Sequence, residues 1–391
     1  MSSRTTFPKV LHMTTVPISL YFLENQLKFL QKSGFEVHVL SSPGEALTDV
    51  VGKENVIGHE VWIEREISIV QDLKSLWRVF RIIRNERFDI VHVHTPKAAL
   101  IGMLAAKAAG VKVRIYHVHG LPYMTKVGAK RMLLQTIEKL TCSLASRVYT
   151  VSHSLRDFIC ENKLVNTEKA STIHNGSING LDTTIKFNPA SYSLSRHDLK
   201  LKESDRVLGF VGRIVRDKGI VELLEAWRVL KNRQEDLKLV IAGKMEEPSL
   251  TDSAYKEIEN DPDILYVGEC DNVAPYYSLM DVLVFPTYRE GFGLVAIEAM
   301  AMGVPVIASN VLGCVDTIED GKNGFLIEPR SVTGIVEKVA YYLDHPEIRT
   351  AHGASGQHLV RMKYDQHTIW NALLEDYKFF IQNEKRVVLS S

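Results

Sequence analysis

Sixteen residues, Gly291 to Val306, constrain this chain more than any other stretch, because Glu298 is their only polar side chain. The run Gly-Phe-Gly-Leu-Val-Ala-Ile-Glu-Ala-Met-Ala-Met-Gly-Val-Pro-Val follows the β-rich segment 281–286 and leads into a second apolar burst at 304–308. A short strand, a glycine loop, a helix of small and apolar residues and another strand make a βαβ unit with a parallel, buried sheet. That sets the class as α/β. A carboxylate in an apolar helix is costly to bury unless something hydrogen-bonds to it. Glu298 therefore finds a protein partner, turns to solvent, or meets a ligand where strand ends and helix starts of open α/β sheets bind them. A second carboxylate, Glu290, stands just ahead of the loop.

At 391 residues the chain has material for two or three domains. Its 47 basic residues balance 47 acidic ones, so no global field attracts nucleic acid. Residues 1–9 are polar with no apolar segment after them, which reads as no signal peptide, and no run approaches a membrane span. Cys142, Cys160, Cys270 and Cys314 are scattered without CxxC spacing, as expected of reduced thiols in the cytoplasm.

Strands are expected at 10–13, 36–40, 89–94, 113–118 and 147–152, alternating with helices at 19–32, 72–87, 97–109, 123–146 and 154–162. The helix 72–87 should bury Leu73, Leu76, Val79, Phe80 and Ile83. Arg78, Arg81, Arg84 and Arg87 share its flank, and Lys126, Lys130 and Arg131 open the stretch 123–146 among bulky apolar residues. Both read as solvated basic faces or as contacts with anionic membrane or a phosphate-bearing acceptor. Two His-x-His pairs, His92 with His94 and His117 with His119, each put two imidazoles on one strand face. They can be structural, or hold zinc if all lie on one face. His119-Gly120, however, ends a strand, where an imidazole can face a ligand and the glycine admits it to the backbone.

Weak periodicity over 177–204 marks an inter-domain linker, after which a second alternation of strands begins at Arg206. Gly212-Arg213-Ile214-Val215-Arg216-Asp217-Lys218-Gly219 follows its first strand and precedes a helix, so Arg213 and Lys218 make an anion pocket suited to a diphosphate. This loop and the loop at Gly291 should open on the same sheet edge. Asp261-Pro262-Asp263 has metal-clamp spacing but precedes its strand, which reads as a proline turn. A GxGxxG fingerprint is absent after the first strand, against a nicotinamide or flavin enzyme. A last amphipathic helix carries Trp370, Leu373, Leu374, Tyr377, Phe380 and Ile381 on one face.

Glu290-x7-Glu298 behind Pro286-Thr287, Gly212-Arg213 with Lys218-Gly219, His119-Gly120 and Asn175-Gly176 together resemble the retaining family 4 glycosyltransferases. Ser41-Ser42-Pro43-Gly44 and His94-Thr95-Pro96-Lys97 look most like the bacterial members that build capsule, O-antigen or other lipid-linked glycans. The resemblance implies the GT-B fold, two doubly wound Rossmann-like domains facing a central cleft. Residues 1–185 would form the acceptor domain, and 186–365 the donor domain with its linker at 186–204, while a helix over 366–391 would cross back. It also implies a nucleotide-sugar donor and a lipid-linked or glycan acceptor, with no metal or other cofactor. Arg213 and Lys218 would bind the diphosphate beside Gly212. Glu298 would accept the ribose hydroxyls, and Glu290 with the amides of Gly291, Phe292, Gly293 and Leu294 would hold the sugar and phosphate. His119 would sit near the anomeric carbon, and Asn175 would belong to the substrate site. The glycine-rich first loop of many relatives is here Thr14-Thr15-Val16-Pro17-Ile18-Ser19, with the Thr15 hydroxyl in place of an amide contact.

Three readings follow from these residues. The first is a transferase moving a hexose or N-acetylhexosamine from a UDP sugar, or mannose from GDP-mannose, in the cytoplasm or peripheral on the inner membrane face. The others are a sugar-nucleotide epimerase and a metallohydrolase built on the four histidines.

Overall fold

The computed structural model describes residues 7–246 and 250–390, with side chains through Asn383. Residues 1–6, part of the segment read for a signal peptide, and Ser391, the end of the anticipated last helix, lie outside them. The chain divides into two compact units, 1–180 with 367–391, and 181–366.

In the N-terminal unit the strands are β1 (Lys9–Met13), β2 (Glu36–Ser41), β3 (Ile57–Glu60), β4 (Ile90–Val93), β5 (Val113–Val118), β6 (Arg147–Thr150) and β7 (Ala170–Thr172). Its helices are α1 (Gln26–Lys32), α2 (Glu45–Glu54), α3 (Ile69–Glu86), α4 (Pro96–Ala108), α5 (Gly128–Leu144) and α6 (His153–Glu161). All strand pairs are parallel and run β3-β2-β1-β4-β5-β6-β7, so the order reverses between β1 and β4. Buried Val, Ile and Leu lie on both faces of the central strands, Val10, Ile90 and Ile115 on one and Leu11, Val91 and Val118 on the other, as a doubly covered parallel sheet requires.

The second unit holds β8 (Arg206–Val211), β9 (Leu237–Ala242), β10 (Ile264–Gly268), β11 (Val282–Phe285), β12 (Val306–Ser309) and β13 (Gly324–Ile327). Between and after them lie α7 (Ile220–Lys231), α8 (Asp252–Asn260), α9 (Ala274–Tyr277), α10 (Leu294–Ala301), α11 (Cys314–Thr317), α12 (Val332–Asp344) and α13 (Pro346–Lys363). The parallel order β10-β9-β8-β11-β12-β13 places its reversal between β8 and β11. Helix α14 (Gln366–Ser390) then returns to the first unit, where Ile369, Leu373, Leu374 and Tyr377 join the core with Val10, Ile90 and Ile115.

Several sequence expectations are corrected. The helix expected over 19–32 is a 3-10 turn, Pro17–Leu23, and then α1, separated by Asn25 in the left-handed region at φ 65°. The stretch 123–146 breaks where Lys126 and Val127 turn extended, so only α5 is a regular helix. In α3 the core face is Ser75, Val79 and Ile83, while Leu73 is 61% exposed. Asp263 pairs with Lys231 and Lys238, and Asp261 accepts the Trp227 indole at 2.9 Å, so this carboxylate pair is tied into the fold. No described helix is long and apolar enough to cross a membrane.

Candidate active site

In the second unit, the loops after β8 and β11 meet at the point where strand order reverses, the usual ligand crevice of such sheets. Gly219 ends the first loop at φ +76°, and a Cβ there would lie 2.0 Å from the Pro286 carbonyl oxygen, so only glycine permits the contact. The loops are also stitched together: the Tyr288 amide donates to the Asp217 carbonyl at 2.9 Å, the Thr287 hydroxyl to the same oxygen at 3.3 Å, and Arg289 pairs with the Asp217 carboxylate at 3.1 Å. This stitching brings Lys218 into a direct ion pair with Glu290, both largely buried. Arg213, on the same loop, is exposed and pairs with Glu246 at 3.0 Å. Gly212, at φ +144°, lies with its carbonyl against Gly243, leaving no room for a side chain at 243.

Gly293 precedes α10 at φ +80°, so the chain turns from Gly291 and Phe292 into the helix with no side-chain cap on its first turn. That leaves a positive helix end beside Lys218 and Glu290, with Leu294 partly exposed at its start. One turn on, Glu298 accepts a hydrogen bond from the buried Tyr277 hydroxyl at 2.9 Å. Burial pushes its pKa up to about 7. Tyr277, Thr287 and Asp217 position this site through contacts between segments distant in sequence, and Tyr277 carries no local signal that would have singled it out.

In the N-terminal unit, strand order sets five imidazoles side by side: His12 on β1, His92 on β4 with His94 just past it, His117 on β5 and His119 just beyond. His12 bonds His94 at 2.9 Å and His92 bonds the Tyr377 hydroxyl at 2.5 Å. Burial lowers all five pKa values, to about 3 for His12 and about 4 for His119, so the column is neutral at pH 7. Nitrogens of His94, His117 and His119 fall within 4.8 Å of one another, close enough to share an ion. The two His-x-His pairs thus do share one face. His119 Nε2 is buried without a hydrogen-bond partner, and Gly120 faces open space. Thr15 uses its hydroxyl inside the fold, on Thr95 at 2.7 Å and on the Ala98 amide at 3.1 Å. Asn175 bonds the adjacent His174. Arg78, Arg81, Arg84, Lys126, Lys130 and Arg131 are all exposed, and Arg81 stacks on Trp77.

Comparison with known proteins fits this geometry. Residues 21–177 match the model of Glycosyltransferase Family 4, and residues 192–358 that of Glycosyl transferases group 1. The chain is 34% identical over 378 residues to the capsular polysaccharide biosynthesis glycosyltransferase CapM of Staphylococcus aureus, covering 96% of this chain and 98% of that one. It is 26% identical to the UDP-Gal:alpha-D-GlcNAc-diphosphoundecaprenol alpha-1,3-galactosyltransferase of Escherichia coli, over 82% of this chain and 83% of that one. Among solved structures, a glycosyltransferase from Rickettsia africae aligns with a TM-score of 0.82 at 21% identity, over 96% of this chain and 99% of that one. Anabaena HepE in complex with UDP and glucose aligns at 0.78 and 18%, over 95% and 99%. With both domain models in sequence order and near-complete coverage by a relative at this identity, the chain belongs to the family 4 glycosyltransferases of GT-B fold, and it is a glycosyltransferase.

Proposed function

We propose that this enzyme transfers a hexose or N-acetylhexosamine, with retention, from a UDP sugar to a lipid-linked or polysaccharide acceptor during surface-glycan synthesis. The observation that carries the donor half is the Lys218–Glu290 pair at the β8–β11 reversal, flanked by the uncapped start of α10 and by Glu298. A diphosphate here meets one ammonium and a positive helix end, with Arg213 free to leave its exposed pair with Glu246 and close on the phosphate. Glu290 then turns to the sugar's hydroxyls, and Glu298 accepts those of the ribose.

Cleavage of the anomeric carbon–oxygen bond puts negative charge on the β-phosphate and positive character on the sugar ring. Lys218, Arg213 and the amides at Gly291 to Leu294 stabilise the departing phosphate as fixed charges and dipoles. The acceptor oxygen forms its bond on the side the phosphate leaves, and its proton goes to the leaving phosphate oxygen. His119, neutral because it is buried, is suited to accept or donate a hydrogen bond near the sugar without adding charge. The E. coli relative's name specifies UDP-galactose and a diphosphoundecaprenol acceptor, and the S. aureus relative's a capsular polysaccharide, which supports UDP and a lipid-linked or capsular product. GDP-mannose is the second donor to try, and we place the reaction in the cytoplasm, at the membrane's inner face.

A thermal-shift series with UDP, GDP and ADP sugars, followed by transfer assays with and without acceptor, tests this. Stabilisation by UDP and product only with acceptor is expected. Conversion of free donor alone would make the chain an epimerase. We also propose that transfer needs no metal: turnover should survive EDTA, and loss of activity restored by zinc would turn the reading toward the histidine column.

A further inference from the structure

The N-terminal unit has a cavity outside the donor machinery. On one side of its sheet α4 lies between α3 and α5, and a cavity of about 540 Å³ runs along it. Such a volume is ordinary for a small-molecule site. One end is formed by Thr15, Thr95, Pro96 and Lys97, where strand order reverses between β1 and β4. The other reaches Leu104, about 12 Å further along the helix. Leu73 and Leu76 of α3, Leu100 and Ile101 of α4, and Leu134 and Ile137 of α5 supply the walls.

Three observations indicate what fills it. First, the wall residue Tyr123 is 2% exposed, and its hydroxyl has no hydrogen-bond partner. Second, the helices that wall the cavity expose apolar side chains: Ile69, Val70 and Trp77 on α3, and Val127, Met132 and Leu133 at α5, are each at least half exposed, and Ile69 lines the cavity itself. Exposed apolar side chains in such number mark a binding surface. Third, an uncompensated cation stands where an anionic headgroup would lie. Arg65 lines the cavity with no ion-pair partner among the described residues, while Lys97, at its polar end, is paired with Asp72 at 2.8 Å, and from Gly120 to Ile137 the chain has Lys126, Lys130 and Arg131 and no acid, with Glu138 following on the cavity wall. Basic and bulky apolar residues interleaved on one face suit an anionic lipid surface.

We propose that this cavity receives the hydrocarbon chain of a lipid-diphosphate acceptor, with the diphosphate held by Arg65 and by Lys97 as it exchanges Asp72 for the ligand, and the exposed apolar side chains of α3 and α5 set into the membrane that supplies the lipid. This rests on the lipid-linked acceptor named above and gives that acceptor a site. Chain length then becomes a determinant of acceptor affinity, since each buried methylene adds about 0.8 kcal/mol.

The test uses the full chain and soluble probes. Farnesyl and isopentenyl diphosphate are titrated calorimetrically into the wild type, Leu100→Trp, which fills the cavity, and Leu73→Asp, which changes an exposed wall residue the fold does not bury. UDP is titrated into the same samples. Farnesyl diphosphate should bind the wild type at least ~10-fold more tightly than isopentenyl diphosphate, and either variant should lose ~10-fold or more of that affinity while UDP affinity stays within about twofold. Equal affinity for the two probes, or undiminished farnesyl binding in Leu73→Asp, overturns the site. Transfer assays separate the two claims. Transfer to a polyprenyl-diphosphate sugar that is indifferent to both substitutions keeps the acceptor and removes the cavity. Chain-length-dependent binding with no transfer to any lipid-linked sugar keeps the cavity as a lipid site and removes the acceptor.

Discussion

Glu298 is a carboxyl whose protonation and ligand are coupled. Its pKa is raised by burial from 4.5 to about 7, with one hydrogen bond from Tyr277 opposing the rise. In the free protein the fold binds a proton here that the unfolded chain has released, so this group's contribution to stability falls as pH rises from about 4.5 through 7. Ribose hydroxyls donate to the ionised form, so UDP binding should have the opposite dependence. Affinity should rise up to about pH 7 and then level, with proton release on binding below that pH. Glu298→Gln should flatten both curves, and a pH-independent UDP affinity in the wild type would remove Glu298 from the ribose site. Lys218 is the more committed of the two loop cations, held against Glu290 while Arg213 sits on the surface with Glu246. Lys218→Ala is therefore expected to lower turnover by ~10²-fold or more, and Arg213→Ala by less. A change under about tenfold for Lys218→Ala, with donor saturating, would take it out of the transition state.

At the scale of elements, legibility followed the range of the interaction that decides each feature. The βαβ around Gly291 was readable because its signal is local: two apolar strands, a glycine turn and a helix of small residues, all within about 28 positions (281–308). Likewise the loop at Gly212 to Gly219 declared its cations. What the sequence left open is what strand order decides. The two His-x-His pairs lie 25 positions apart, and only the β1-β4-β5 adjacency turns them, with His12, into one stacked column. The partner of Glu298 lies on α9, 21 positions back, and the contact is invisible to periodicity. Leu73 has the right spacing for a core residue of α3, yet it lines a cavity instead of the sheet, because α3 packs beside α4 and leaves that turn uncovered. The histidine column has its own consequence. Every member is neutral in the fold and has a pKa below its unfolded value of 6.5, so the unfolded chain binds more protons as pH falls below 6.5. Stability of the N-terminal unit should drop steeply from pH 6.5 towards 4, by up to about 1.4 kcal/mol per pH unit for each imidazole. Denaturant melts that change little over this range would show the column accommodating charge, and would favour an ion or water among the imidazoles.

Across the whole molecule the 47 cations and 47 anions cancel, so no long-range field delivers this protein to an anionic surface. Any membrane association has to come from a local arrangement that holds apolar side chains and cations together without acids. The stretch 124–133, from the 3-10 turn ahead of α5 into its first turns, meets that condition, with Lys126, Lys130 and Arg131 among Met124, Val127, Met132 and Leu133, all exposed. The arginines of α3 meet it less well, because Arg81 is laid over Trp77 and Arg84 lies near the helix end away from the cavity's polar mouth. Each basic side chain near an anionic membrane is worth about 1 kcal/mol. Replacing Lys126, Lys130 and Arg131 with Gln should then weaken binding to vesicles of mixed phosphatidylcholine and phosphatidylglycerol by ~10²-fold, and replacing Arg78, Arg81 and Arg84 should weaken it less. Raising salt should erase the difference between the α5 variant and the wild type, since a Debye length near 10 Å at 0.1 M shrinks to about 3 Å at 1 M. What remains at high salt is the apolar contribution of Val127, Met132 and Leu133. Sedimentation with these vesicles measures both parts, and equal binding by wild type and the α5 variant at low salt would leave these cations as a solvated edge.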